Sequence, residues 1–308
     1  MKMNRIAMKF KVLSSGLIFI CISILSCSNP QQTALEFNKN DHLIDSLIVI
    51  KKINKKAILV LFGSDAVTAI KTQKGIVVID AGISKHLTSK YRGIIEKEFQ
   101  CNDFVYVINT HCHPDHYGGN SVFYETKIIG QENGPKEISE QGANNEKTKK
   151  SISKIVEEYE WQLKECKINT QKWHDAFTQK TRYDNALTDA EMQIPIKYPD
   201  MIFSDSLQID MVDMKFEMVY FGKCHSNSDI LIYIPELKIL FSGDLFFKYG
   251  RPSINGSQMK DKEKWENAII WIERRITNID TIISGHGELL SIDDLINFNR
   301  NIKERCFN

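Results

Sequence analysis

Between Ser46 and Asp80 short apolar runs rich in β-branched residues alternate with turns. Leu47 to Ile50, Ala57 to Phe62, Ala66 to Lys71 and, after the Gln73-Lys74-Gly75 turn, Ile76 to Ile79 have the length and residue types of successive antiparallel strands. The period then becomes helical, with Leu87, Tyr91, Ile94, Ile95 and Phe99 on one side. The unbroken run Phe104 to Ile108 reads as a strand covered on both faces. The second half repeats this grammar: strands at Leu207 to Met211, Lys215 to Phe221, Ile230 to Ile234 and Lys238 to Phe241, a helix at Lys262 to Ile276, a strand at Thr281 to Ile283, and a last helix at Ile292 to Cys306. Two sets of strands, each followed by helices, imply two packed sheets with helices outside, an α/β class.

Between the halves, residues 132–198 are polar and charged, with helical signals from Asn145 to Cys166. Tyr159, Trp161, Trp173, Phe177 and Tyr183 lie in this segment. A helical pair packing its aromatics on the body is the expectation, since aromatics at helical spacing usually face a core. A lid over a site is the other reading.

The start of the chain follows a different pattern. Lys2, Arg5, Lys9 and Lys11 form a basic stretch, and Val12 to Leu25 is an uncharged apolar run, as in an export signal. That run is short for a membrane span, which needs roughly 20 apolar residues. It closes at Ile24-Leu25-Ser26-Cys27, which resembles the lipobox of bacterial lipoproteins, with the polar Ser28 to Gln32 tether after it. Signal residues 1–26, a tether over 27–45 and a domain over 46–308 with a helical insertion at about 132–198 are therefore expected. Lipidation of Cys27 would anchor the protein on the periplasmic side of a bacterial membrane.

Composition narrows the classes. At 42% hydrophobic and 26% charged the chain can bury a core, and 40 Lys and Arg against 39 Asp and Glu leave a net charge of only +1. Loss of residues 1–26 removes four cations and no acid, which brings the net charge to −3. No field of this size draws a protein to nucleic acid. Cys101, Cys112, Cys166, Cys224 and Cys306 are too widely spaced to read as a disulfide framework.

The chemistry is concentrated in histidine. Five of the eight His fall in three short stretches, the first being Asn109-Thr110-His111-Cys112-His113-Pro114-Asp115-His116 after the buried strand. Three imidazoles and a carboxylate this close would repel when protonated and are costly to desolvate, which a metal resolves. In an extended segment His111 and His113 share a face, and Asp115 and His116 follow where the loop turns. His225, Asp244 in Ser242-Gly243-Asp244 and His286 in Ser284-Gly285-His286-Gly287 all lie after strands, where turns present side chains. His42, His86 and His174 match no such pattern and are expected at the surface. Cys112 and Cys224 adjoin candidate ligands and read as small buried hydrophobes.

From about Ala57 to His286 the sequence resembles the metallo-β-lactamase-fold hydrolase superfamily. Its His-x-His-x-Asp-His motif is matched by His111, His113, Asp115 and His116, and its later positions by His225, Asp244 and His286. Its strand-end Asp is matched by Asp80 in Val77-Val78-Ile79-Asp80. The resemblance implies an αββα sandwich of two mixed sheets. It also implies one metal on His111, His113 and His225, a second on Asp115, His116 and His286, and Asp244 shared between them. Asp80 would steady a ligand loop, and Asp115 would also orient an attacking hydroxide. Zinc suits this nitrogen-rich, thiolate-poor set, two ions being expected, and iron or manganese would accept it.

A bridging water acidified by such a pair would attack an ester-, thioester-, lactone- or amide-like bond in a small-molecule substrate. The resemblance implies class B β-lactamase activity less directly. Those enzymes carry Cys or Ser where this chain has Asp244, and many carry Lys where it has Phe247, although Lys248 is adjacent. Flavin-linked redox members replace a motif His by Glu, and His113 is retained here. A mononuclear iron persulfide dioxygenase and a non-catalytic binding lipoprotein are the remaining alternatives.

Overall fold

The computed structural model describes residues 41–142, 144–246, 262–297 and 300. The expected signal segment, Cys27, most of the tether, Phe247, Lys248 and the end of the last helix lie outside the described residues. Among the described residues no helix is long and apolar enough to cross a membrane.

Two sheets face each other. The first runs in the order β1 (Val49–Lys52), β2 (Ala57–Phe62), β3 (Asp65–Thr72), β4 (Gly75–Ile79), β5 (Phe104–Ile108), β6 (Lys127–Gln131), β7 (Met201–Phe203). Its strands pair antiparallel as far as β4 and parallel from β4 to β7. The second sheet contains β8 (Ser206–Asp210), β9 (Lys215–Tyr220), β10 (Ile230–Ile234), β11 (Ile239–Gly243), β12 (Thr281–Ser284) and β13 (Leu289–Leu290), ordered β13-β12-β11-β10-β9-β8. Among the described residues, β11 and β12 are its one parallel pair.

Side-chain alternation explains the layers. Along β2, Ala57 and Leu59 enter the core between the sheets, while Ile58, Val60 and Phe62 enter the outer one. Such a strand is buried on both faces and reads as a continuous apolar run. In β9, Phe216 and Met218 face inward between Lys215 and Glu217, a period of two. Helix α1 (Lys85–Phe99) covers the outer face of the first sheet with Leu87, Tyr91, Ile95 and Phe99, and Ser84 caps it by accepting from the Leu87 N–H.

Further along are the one-turn α2 (Pro114–Tyr117), α3 (Gly134–Gln141), α4 (Glu146–Glu165) and α5 (Gln171–Glu191). Helix α6 (Lys262–Glu273) covers the second sheet with Trp265, Ala268, Ile269 and Ile272. The architecture is the αββα sandwich.

Several boundaries differ from expectation. Strand β1 begins two residues later than Leu47, because Val49 pairs with Leu61 and the register follows that partner. The predicted strand at Lys238 starts at Ile239, since Lys238 is left-handed at φ +54 after the turn Pro235–Leu237. Helix α6 stops at Glu273. Strands β6, β7 and β13 carry no strong periodicity and went unpredicted. The insertion is a helical pair, α4 on α5, as expected, with Phe177 and Tyr183 on the body. Trp161, however, is 61% exposed, contrary to the packing expected of it, and the stacked pairs Tyr159–Tyr183 and Trp173–Phe177 form instead.

Candidate metal centre

Asp80, the His111 loop, Asp244 and His286 follow β4, β5, β11 and β12 respectively, and His225 lies in the β9–β10 connection. After β5 the chain bends at Thr110, His111 and His113, and the φ of −91° and ψ of 151° at His113 hold it just outside α2. Pro114 then starts the helix, where its missing N–H costs nothing. His111 and His113 join one group of donor atoms, while Cys112 packs into a cluster with Tyr117 and Ile138. Asp115 and His116 sit on the first turn of α2.

A register shift between Phe241 and Gly243 ends the β11–β12 ladder, and Gly243 turns at φ +52, which presents Asp244. The Gly285 N–H donates to the Gly243 carbonyl at 2.7 Å, which brings His286 beside Asp244. A Cβ on Gly285 would lie 2.2 Å from Asp244 Oδ1, so only glycine allows this approach.

Three groups of donor atoms result, each with its atoms within 4.8 Å of one another: His111, His113 and His225; His111, His116 and Asp244; and Asp115, His116 and His286. In the first group, His113 Nδ1 is 3.1 Å from both His111 Nε2 and His225 Nε2. Asp244 lies between the groups, its Oδ2 being 3.2 Å from His286 Nε2 and 3.6 Å from His225 Nε2, and its Oδ1 3.7 Å from His116 Nε2. His116 Nε2 and Asp244 Oδ1 are buried with no hydrogen-bond partner. A native interior rarely leaves such atoms unsatisfied, and a cation between them removes the penalty. The residues therefore fit a metal on an observation independent of motif.

Tautomers agree with this. Thr110 Oγ1 donates to Asp80 Oδ2 at 2.8 Å, so at 3.2 Å it accepts from His111 Nδ1 and leaves Nε2 bare. His286 Nδ1 donates to the Ser64 carbonyl at 2.7 Å, again freeing Nε2. His116 Nδ1 faces Asp80 Oδ2 at 2.9 Å. Burial pushes His111 well below the ordinary imidazole range and His225 down to about 4, so both offer neutral nitrogens at neutral pH. Burial opposes charge on Asp115, yet His116, His286 and Arg182 hold it at about 2. Burial likewise opposes charge on His116, but Asp115, Asp244 and Asp80 raise it well above its ordinary value. The carboxylates thus demand a positive charge at this point, from a proton or from a cation.

All seven predicted ligands converge, and Asp80 stands behind two of them, accepting also from the Thr110 N–H at 2.8 Å. Cys112 and Cys224 are buried, as small hydrophobes are. None of the metal-capable groups among the described residues includes His42, His86 or His174; His42 is exposed as expected, whereas His86 and His174 are half-buried.

Several contributors were not predicted. Glu137 on α3 accepts from Ser228 Oγ at 2.6 Å and from the Asn227 N–H at 3.1 Å, and Ser228 Oγ accepts from the Cys112 N–H at 3.0 Å. This ties the His225 loop to the His111 loop. Arg182, on α5, is fully buried against Asp65 at 2.7 Å and lies 3.5 Å from Asp115 Oδ2. Thr110 adjoins the motif and could have been suspected; Arg182 sits in a polar helix that offers no signal.

Comparison with known proteins agrees with the fold and the motif. Residues 62–286 match the family model described as the metallo-beta-lactamase superfamily. The chain is 22% identical over 286 residues to the metallo-beta-lactamase type 2 of Bacillus cereus, covering 88% of this chain and 91% of that one. Among solved structures, a metallo-beta-lactamase from Pontibacter korlensis superposes with a TM-score of 0.55 at 17% identity, over 83% of this chain and 99% of that one. The stereoselective inverting sec-alkylsulfatase Pisa1 from Pseudomonas sp. gives 0.58 at 15% identity, over 84% of this chain and 41% of that one. At these identities the superpositions establish a common fold, and the family match supplies the rest: the chain belongs to the metallo-β-lactamase superfamily.

Proposed function

We propose that this protein is a two-metal hydrolase acting on an ester-, thioester-, lactone- or amide-like bond of a small molecule. The observation that carries this reading is the convergence of six donor residues around an Asp244 whose buried Oδ1 faces the equally unpartnered His116 Nε2. His111, His113 and His225 would hold one ion, Asp115, His116 and His286 the other, and Asp244 both. Zinc suits the set, with iron or manganese as alternatives. Two such ions would supply Lewis acidity and an acidified water near neutral pH.

The chain's own residues supply charge and order. His111, His116 and Asp244 form the buried floor, while His113, Asp115, His225 and His286 are half-buried, which leaves one side open to a small molecule. Asp115 keeps an anionic oxygen at that open side, where it can accept a hydrogen bond from a reacting water and aim it. Asp80 and the Ser64 carbonyl fix the rings of His116 and His286, so little reorganisation is needed during the reaction.

The full-length likeness to a Bacillus cereus metallo-beta-lactamase type 2 favours one other substrate, a β-lactam. A panel of lactam, lactone, thioester and phosphodiester substrates separates the readings. A kcat/KM of about 10⁴ M⁻¹s⁻¹ or more on a β-lactam would make the lactamase reading primary. On whichever substrate turns over, His113→Ala should abolish activity and leave the fold intact; retained activity would remove His113 from the ligand set. The basic start, the short apolar run and Cys27 at its polar boundary support a lipid anchor on the periplasmic side.

A further inference from the structure

Helix α5 reaches the centre at two points one turn apart. Gln179 Nε2 donates to Ser64 Oγ at 2.5 Å, and Gln179 Oε1 accepts from Arg182 Nη1 at 2.6 Å. Arg182 Nε donates to Asp65 Oδ1 at 2.7 Å, and its Nη2 lies 3.5 Å from Asp115 Oδ2. Ser64 in turn is the residue whose carbonyl accepts from His286 Nδ1. The contact is close along the whole β2–β3 turn: Gly63 is at φ +58, and a Cβ there would lie 2.9 Å from Thr178 Oγ1.

Asp115 and His286 thus meet α5 directly or through one residue, and both belong only to the third donor group, that of the second metal position. The first group is braced differently. His111 is held by Thr110 and Asp80, and the His225 loop is held by Asp229 and Glu137. Phe177, Tyr183 and the buried Ala186 hold α5 on the outer core. Directional alignment between α5 and the turn comes from the polar contacts of Gln179 and Arg182.

We infer that the helical insertion is a brace for the second metal position, with Arg182 and Gln179 as positioning residues that aim Asp115 and His286. The inference rests on the two-ion reading and adds a division of labour: the sandwich holds the first ion, and the docked hairpin completes the second site. Arg182 suits this role because its planar guanidinium reaches Asp65, Gln179 and Asp115 at once, which a lysine cannot do. Asp65 neutralises its charge, so the guanidinium orients Asp115 at little electrostatic cost to a neighbouring cation.

Metal titration of the full chain tests this. Wild-type, Gln179→Ala and Arg182→Lys proteins would be stripped with chelator and titrated with Zn²⁺ against a competing indicator. A parallel Co²⁺ titration followed by visible absorption would read each site's coordination. Two ions are expected in the wild type. In both variants the first affinity should be unchanged and the second weaker by about 10- to 100-fold, as for lost outer contacts to ligands. The Co²⁺ spectrum of the second site should change and near-UV circular dichroism should not. Arg182→Lys keeps the charge; if it fails to fold, Gln179→Ala, which leaves the Arg182–Asp65 pair in place, decides alone. Folded variants that bind both ions as tightly as the wild type, or that weaken both equally, overturn the inference. A wild-type protein that takes up one equivalent overturns the two-ion reading and the brace with it.

Discussion

Asp80 shows how a single residue is committed to the centre. It sits at φ +58, a left-handed backbone that non-glycine residues rarely adopt and that Asp tolerates better than most. In return both carboxylate oxygens are used, on the Thr110 N–H and hydroxyl and on His116 Nδ1. Asp80→Ala should cost about 10- to 100-fold in metal affinity or turnover, with Asp80→Asn milder because the amide oxygen still accepts from Thr110; metal titration of an unaffected Asp80→Ala protein would contradict this role. Asp229 gives a different readout. Burial pushes its carboxyl up to about 7 although Ser226 donates to it twice, and the unfolded group titrates at about 3.9. The folded state therefore binds the extra proton between these values. Its stabilising contribution is complete below the lower value and is lost as pH rises through about 7. Chelator-treated protein should lose thermal stability between roughly pH 4 and pH 7, and Asp229→Asn should flatten that slope; an equally steep variant would show that another group is responsible.

Elements aim these residues. The ends of the parallel strands β4, β5, β11 and β12 supply Asp80, the His111 loop, Asp244 and His286, so the sheets place the donors and the turns orient them. Gly285→Ala should therefore be severe, because the new Cβ would occupy the place of Asp244 Oδ1. We expect loss of bound metal and of activity, with a stability cost of about 1–3 kcal/mol as for overpacking; a Gly285→Ala protein with normal metal content would mean that the turn relaxes. Much of this was legible in sequence. Runs such as Ala57–Phe62 and Ile230–Ile234 are buried on both faces, and the glycines mark the turns that bear ligands. What escaped was tertiary. Strands β7 and β13 are three and two residues long and exist only because a partner strand is beside them. Arg182 and Glu137 lie in polar helices where nothing local separates a solvated side chain from one reaching a buried carboxylate or serine across the fold.

At the scale of the molecule, the sandwich leaves its donor-rich edge half-open and its remaining faces covered by helices. The chain's net charge of +1, which would become −3 if residues 1–26 were removed, offers no general attraction for polyanions, consistent with a small-molecule site. Export with a lipid anchor would restrict that site to molecules outside the cytoplasm. Cys27→Ser should shift the protein from the membrane fraction to soluble or unprocessed forms; membrane fractionation at the mature size in the variant would contradict the anchor. The two-ion centre is the claim on which the functional reading depends, and elemental analysis of the purified mature protein after reconstitution addresses it most directly. The account predicts two equivalents of metal per chain, falling to one or none in His113→Ala; one equivalent or fewer in the wild type would contradict it.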